Sequence, residues 1–208
     1  MHYLSDPEAI YRQSFAAIRA EADLSALPDE VQPIAIRLIH ACGMTDLLPD
    51  LRIDRSLSQA VRSALRTGAA ILADCEMVRA GISSQALPEA TRILCTLNES
   101  EARELGRKSG TTRSAAAVKL WKPMLAGAVA VIGNAPTALF SLLEMIDEGC
   151  PRPAAIIAMP VGFVGAAEAK AELAANPRGI PHATLLGRRG GSAMACATLN
   201  AITCGADW

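Results

Sequence analysis

A three-layer α/β fold, with a mainly parallel sheet of about five strands and an N-terminal helical addition, is the architecture this sequence predicts. Two observations carry it. Several short apolar runs are unbroken rather than alternating, the pattern of strands buried on both faces. Helical stretches separate those runs, so the chain must return across the sheet by right-handed crossovers.

In chain order, residues 7–22, 29–41 and 56–66 read as three helices that precede the first strand, each with apolar residues at helical spacing. Strands are expected at 69–73, 93–97, 128–132, 154–159 and 183–186, where Ala, Val, Ile and Leu run together. Helices at 98–107, 135–148, 165–175 and 191–201 fill the intervals. No linker rich in Pro, Gly or Ser and no repeat divides the chain, so residues 1–208 are expected to form one domain. Three strands run into glycine turns, Gly133-Asn134, Pro160-Val161-Gly162 and Gly187-Arg188-Arg189-Gly190-Gly191. In such sheets ligands gather beyond the carboxyl ends of the strands, so Gly133, Gly162 and Gly190 are expected to border one cavity together with His40.

Composition narrows the function. Hydrophobic residues make up 51% of the chain but aromatics only 3%, which leaves little for stacking on single-stranded nucleic acid. The formal net charge of -1 offers no field for a polyanion, so nucleic acid is not an expected partner. No apolar run reaches the ~20 residues that span a bilayer, and the first 21 residues lack a basic-then-apolar leader pattern. A cytoplasmic location without membrane contact is expected. The six cysteines contain no CxxC pair and sit mostly in apolar segments, which reads as reduced, buried thiols and not as a metal site.

Familiar cofactor and nucleophile motifs are missing. There is no GxGxxG after a strand, no GxxxxGK[ST] cradle and no GxSxG elbow. Of three histidines, His2 lies in a terminus and His182 in a turn before an apolar strand. His40, at the end of a helix, is the candidate for proton chemistry, because imidazole both gives and takes a proton near neutrality. Asp74 or Glu76 could orient that ring. Lys119, Lys122 and Lys170 read as solvated, and Trp121 and Trp208 as packing or dimer contacts.

Several segments, in order, resemble one family: Ala9-Ile10-Tyr11-Arg12-Gln13-Ser14-Phe15, Arg37 to Met44 around His40, and Ile71 to Val78. Thr112-Arg113-Ser114, Gly133-Asn134-Ala135-Pro136-Thr137-Ala138, Pro160-Val161-Gly162-Phe163-Val164-Gly165 and Gly190-Gly191-Ser192-Ala193 continue the match. On these the chain resembles the precorrin-8X methylmutases of corrin biosynthesis. The resemblance implies an isomerase that moves a methyl group from carbon 11 to carbon 12 of precorrin-8X, giving hydrogenobyrinic acid. No electrons or external methyl donor are needed, so no cofactor is expected.

By the same resemblance His40 is the acid/base, while Ser14, Ser83 and Arg113 contact the tetrapyrrole. Ser83 stands where relatives are expected to carry threonine. Arg113 suits carboxylate recognition on its own chemistry. A homodimer with its site near the interface is implied as well. Two alternatives stay open: the same shift on cobalt-precorrin-8, giving cobyrinic acid, and a non-catalytic corrinoid carrier. A nucleotide-dependent enzyme is weakened by the missing phosphate motifs.

Overall fold

A six-stranded sheet forms the middle of the computed structural model, in which residues 3–204 are described. The chain begins with α1 (Pro7–Glu21) and α2 (Gln32–Cys42), then a 3-10 turn, β1 (Leu51–Ile53) and α3 (Leu57–Arg66). It continues through β2 (Ile71–Ala73), α4 (Glu76–Gly81), β3 (Ile93–Leu94), α5 (Ser100–Lys108) and α6 (Arg113–Lys119). The last third alternates: β4 (Val129–Ile132), α7 (Pro136–Asp147), β5 (Ala155–Ala158), α8 (Ala166–Ala175), β6 (His182–Leu185) and α9 (Ser192–Thr203).

The strand order is β1-β6-β5-β4-β2-β3, with every pairing parallel except β1 against β6. Period-two alternation splits the strand residues between two apolar layers. Ile71, Val129, Val131, Ile157 and Leu185 face a core shared with α1, α2, α3, α4 and α9. Leu72, Ala130, Ile132, Ile156 and Ala158 face a second core under α6, α7 and α8. Three layers result, because a central strand buried on both faces needs a helical cover on each.

Local chemistry explains the helix ends near the sheet edge. Asp6 caps α1 by accepting from the Ala9 amide at 3.1 Å, and Thr112 caps α6 by accepting from Ala115 at 3.1 Å. In α3, Leu57, Val61, Ala64 and Leu65 are buried while Arg62 and Arg66 are exposed, a one-sided stripe that seats it on the sheet. No described helix is long and apolar enough to cross a membrane.

The N-terminal third is more than a helical addition, because it also supplies β1. Leu51 stands opposite Leu185 and Ile53 opposite Ala183, closing the sheet edge beside β6. A three-residue strand with Arg52 in its middle presents almost no apolar run to a sequence reading. α4 and α6 are likewise additions to the expected elements.

Candidate active site

His40 lies in the last turn of α2, which closes at Gly43 in the left-handed region. Its ring is seated on α1. Phe15 is buried beneath it with ring centroids 5.0 Å apart, and Tyr11 lies 5.6 Å away at 28°. Aromatic contacts of this kind contribute ~0.5 to 1.5 kcal/mol each beyond their buried area. Between those two rings in sequence, Ser14 Oγ is hydrogen-bonded to His40 Nδ1 at 2.9 Å. Positions 11, 14 and 15 fall on one helix face, so a single turn of α1 fixes the plane and one nitrogen of the imidazole. Among the described residues, Nε2 makes no hydrogen bond.

Burial pushes the imidazole below its ordinary 6.5, and the Arg37 guanidinium one turn earlier acts in the same direction. The ring is therefore mainly neutral at neutral pH. Arg37 also lies 6.0 Å from the centroid of the Tyr11 ring.

The cavity beside His40 has a volume of about 490 Å³. One wall is Arg37, His40 and Ala41 of α2; another is Met77 and Gly81 of α4. α9 contributes Ser192, Ala193, Cys196, Ala197 and Asn200, one helical face whose side chains are mostly small. That small-residue face opens the trough. A larger concavity, about 770 Å³ around Arg55, Arg62, Arg66 and Ile202, lies away from His40 and shares none of these residues.

Behind the trough the turns are braced by buried polar groups. β2 and β4 are neighbours although β3 intervenes in sequence, so the order in which the chain adds its parallel strands reverses there. At that point Asp74 accepts from the amides of Gly133, Asn134 and Ala135 at 2.9, 3.0 and 2.9 Å. Burial pushes its carboxyl upward while those amides act oppositely. Asp74 is thus spent on the β4–α7 turn, and Glu76 pairs with Arg79, so neither orients His40. Ser14 does so instead.

Lys170 is not solvated. It is fully buried in α8, its Nζ donates to the Arg189 carbonyl, and burial pushes its pKa down to about 8. Arg189 in turn reaches Asp46 at 2.9 Å and Asp50 at 3.1 Å. The β6–α9 turn is therefore gripped from both sides just before Ser192 enters the trough.

The glycine turns shape this region without lining the cavity, contrary to the sequence expectation. Gly133 is packed under α9, where a Cβ would come within 2.7 Å of the Ser192 Cα. Gly190 has φ +158°, and a Cβ there would lie 2.3 Å from the Met159 carbonyl. Close backbone approach at the two turns brings the start of α9 to His40.

The structure joins Ser14 to His40 directly. Ser83 is half-buried at the next remove: its amide donates to Asn200 Oδ1 at 2.9 Å, and Asn200 donates to the Gly81 carbonyl at 3.0 Å. Arg113 lies elsewhere, exposed at the first turn of α6, where it lines a separate 490 Å³ concavity with Arg103 and Arg107. Trp121 is a packing residue, fully buried, donating from Nε1 to Thr96 Oγ1 at 3.1 Å. His182 is buried at the start of β6, and His2 and Trp208 lie outside the described residues. All six cysteines are free thiols, but only Cys75 and Cys196 are fully buried. Tyr11, Met77 and Asn200 are neighbours of the site that sequence reasoning passed over. The spacing of Tyr11 from Ser14 on one helix face is the signal that could have found it.

The chain as a whole is similar to known proteins. The family profile described as "Precorrin-8X methylmutase" matches residues 9–204. A "Precorrin-8X methylmutase" of Pseudomonas aeruginosa is 55% identical, with 96% of each chain covered. A "Cobalt-precorrin-8 methylmutase" of Priestia megaterium is 36% identical over 97% of this chain and 89% of the relative. The solved precorrin-8x methyl mutase of Thermus thermophilus superposes with a TM-score of 0.84 at 34% identity, covering 96% of both chains.

Proposed function

Because the chain belongs to the precorrin-8X methylmutase family, an isomerase family of cobalamin biosynthesis, we propose that His40 is its proton-transfer group and that the trough beside it receives the tetrapyrrole. The observation that carries this is the Ser14–His40 pair, 2.9 Å apart at the rim of a small-molecule-sized cavity. The reaction is internal to the substrate. The bond from the methyl carbon to carbon 11 breaks as the bond to carbon 12 forms, the ring π electrons shift to match, and nothing is oxidised or reduced.

A protein assists such a shift by holding the macrocycle in the reacting conformation and by setting its protonation state. His40 Nε2 gives a proton to a ring nitrogen and takes it back. Ser14 sets the tautomer this needs: with its hydroxyl oxygen accepting from Nδ1–H, the charged ring carries the transferable proton on Nε2 and the neutral ring presents an Nε2 lone pair to take it back. Ser83 borders the site through Asn200, and Arg113 binds a side-chain carboxylate. Without cobalt the substrate is precorrin-8X. Relatives named for that substrate are 55% and 50% identical, against 36% for the cobalt-named relative from Priestia megaterium.

The working protein is a cytoplasmic homodimer of one domain per chain. Exposed Phe163 and Val164 offer apolar surface for such an interface. Incubating the purified protein with precorrin-8X and following the visible spectrum tests the proposal. Conversion to hydrogenobyrinic acid is expected; a bound but unchanged spectrum would make the protein a carrier.

A further inference from the structure

The concavity that holds Arg113 is cationic on three sides. Arg103 and Arg107 stand one turn apart on α5 and face the first turn of α6, with Gly106 and Thr111 between them. The Thr111 amide donates to the Gly106 carbonyl at 3.0 Å, and a Cβ on Gly106 would lie 3.4 Å from the Thr111 carbonyl. The glycine lets α5 pack closely on the chain that starts α6, which brings the three arginines to one opening. The neighbouring Lys108 on α5 is paired with Glu104 at 2.6 Å. Among the described residues Arg103, Arg107 and Arg113 have no carboxylate within ion-pair distance. Thr112 Oγ1 and Thr137 Oγ1 are hydrogen-bonded at 2.8 Å, which ties the notch to the start of α7, beyond the carboxyl end of β4.

We propose that Arg103 and Arg107, together with Arg113, form one carboxylate-binding notch that captures the acidic side arms of the tetrapyrrole. This rests on the reading that the ligand is a tetrapyrrole bearing several acetate and propionate arms. Three planar guanidiniums around one opening suit a ligand with more than one carboxylate, since each can bind an oxygen pair in a fixed plane. Their mutual repulsion is relieved when an anion enters. Because the notch is open to water, its contribution to affinity falls with salt.

Calorimetric titration with hydrogenobyrinic acid tests this on the whole protein. Arg103→Gln and Arg107→Gln should each weaken binding roughly 2- to 5-fold, and the double variant about 5- to 30-fold, the scale of solvent-exposed ion pairs. The double variant should also lose part of the parent's salt dependence. The double Arg→Lys variant should recover part of the affinity. The probe with its side-chain carboxyls methyl-esterified should bind parent and double variant alike, which separates carboxylate capture from packing of the ring. Arg66→Gln, at the other large concavity, is the control and should bind as the parent does. A double variant within twofold of the parent at low and high salt would overturn the notch. If the parent binds hydrogenobyrinic acid but leaves precorrin-8X unchanged, the proposed reaction fails and the notch stands or falls on the binding data alone.

Discussion

His40 and Arg113 belong to opposite helical layers of the same sheet, and the protein holds them in opposite ways. His40 is fixed: Phe15 lies under its ring, Tyr11 stacks beside it, and Ser14 takes one nitrogen at 2.9 Å. Arg113 is exposed, with two further arginines as neighbours and no carboxylate of its own. A group that must move a proton needs a set plane, tautomer and pKa, whereas a group that must catch a ligand's charge needs to be left unpaired. Under the proposed function the two layers divide the work, one supplying chemistry and the other affinity.

Removing His40 breaks that division most severely. His40→Ala should still bind hydrogenobyrinic acid but lose ~100- to 10,000-fold in turnover, the usual weight of a general acid/base. Residual activity within about threefold of the parent would take His40 out of the mechanism. Next comes Arg113→Met, expected to raise the dissociation constant about 3- to 12-fold, from ~1.5 to 3 kcal/mol for a charge-assisted bond roughly halved by its exposure to water. Unchanged binding with collapsed turnover would put Arg113 on the reacting ring and erase the contrast between the layers. Ser14→Ala should be milder, costing about 2- to 10-fold in turnover, since one neutral hydrogen bond contributes ~0.5 to 1.5 kcal/mol.

The smallest expected effect concerns the brace behind the trough. With its pKa lowered from 10.5 to about 8, Lys170 is neutral in the folded chain and charged in the unfolded chain between those values. The unfolded state then binds more protons, so Lys170 makes stability rise with pH through that window. Urea unfolding of the parent and Lys170→Met at pH 7.5 and 9.5 should show the difference between them moving in the parent's favour at the higher pH. A difference that stays flat would mean Lys170 is charged throughout.

Much of this was legible in the residues. The runs at 128–132 and 154–159 became β4 and β5 within one residue at each end, because a strand buried on both faces must be continuously apolar. Leu51–Ile53 was not legible: its pairing with β6 is a contact across 130 to 134 positions, and three residues carry no period. His40 and Ser14 could be singled out by motif, but their 2.9 Å contact depends on the packing of α1 against α2. Lys170 misled for the same reason. A lysine in an alanine-rich helix reads as solvated until the Arg189 carbonyl is found opposite it.

The central claim is that the proton moved in the reaction belongs to a His40 imidazole whose Nδ1 is held by Ser14. Its most direct test is to titrate the His40 ring by NMR and to measure the pH profile of kcat/KM, in the parent and in Ser14→Ala. The ring should titrate below 6.5 in the parent. One limb of the rate profile should bend at that same pH, and both should shift together in the variant. A rate profile that stays in place while the imidazole pKa moves would contradict the account.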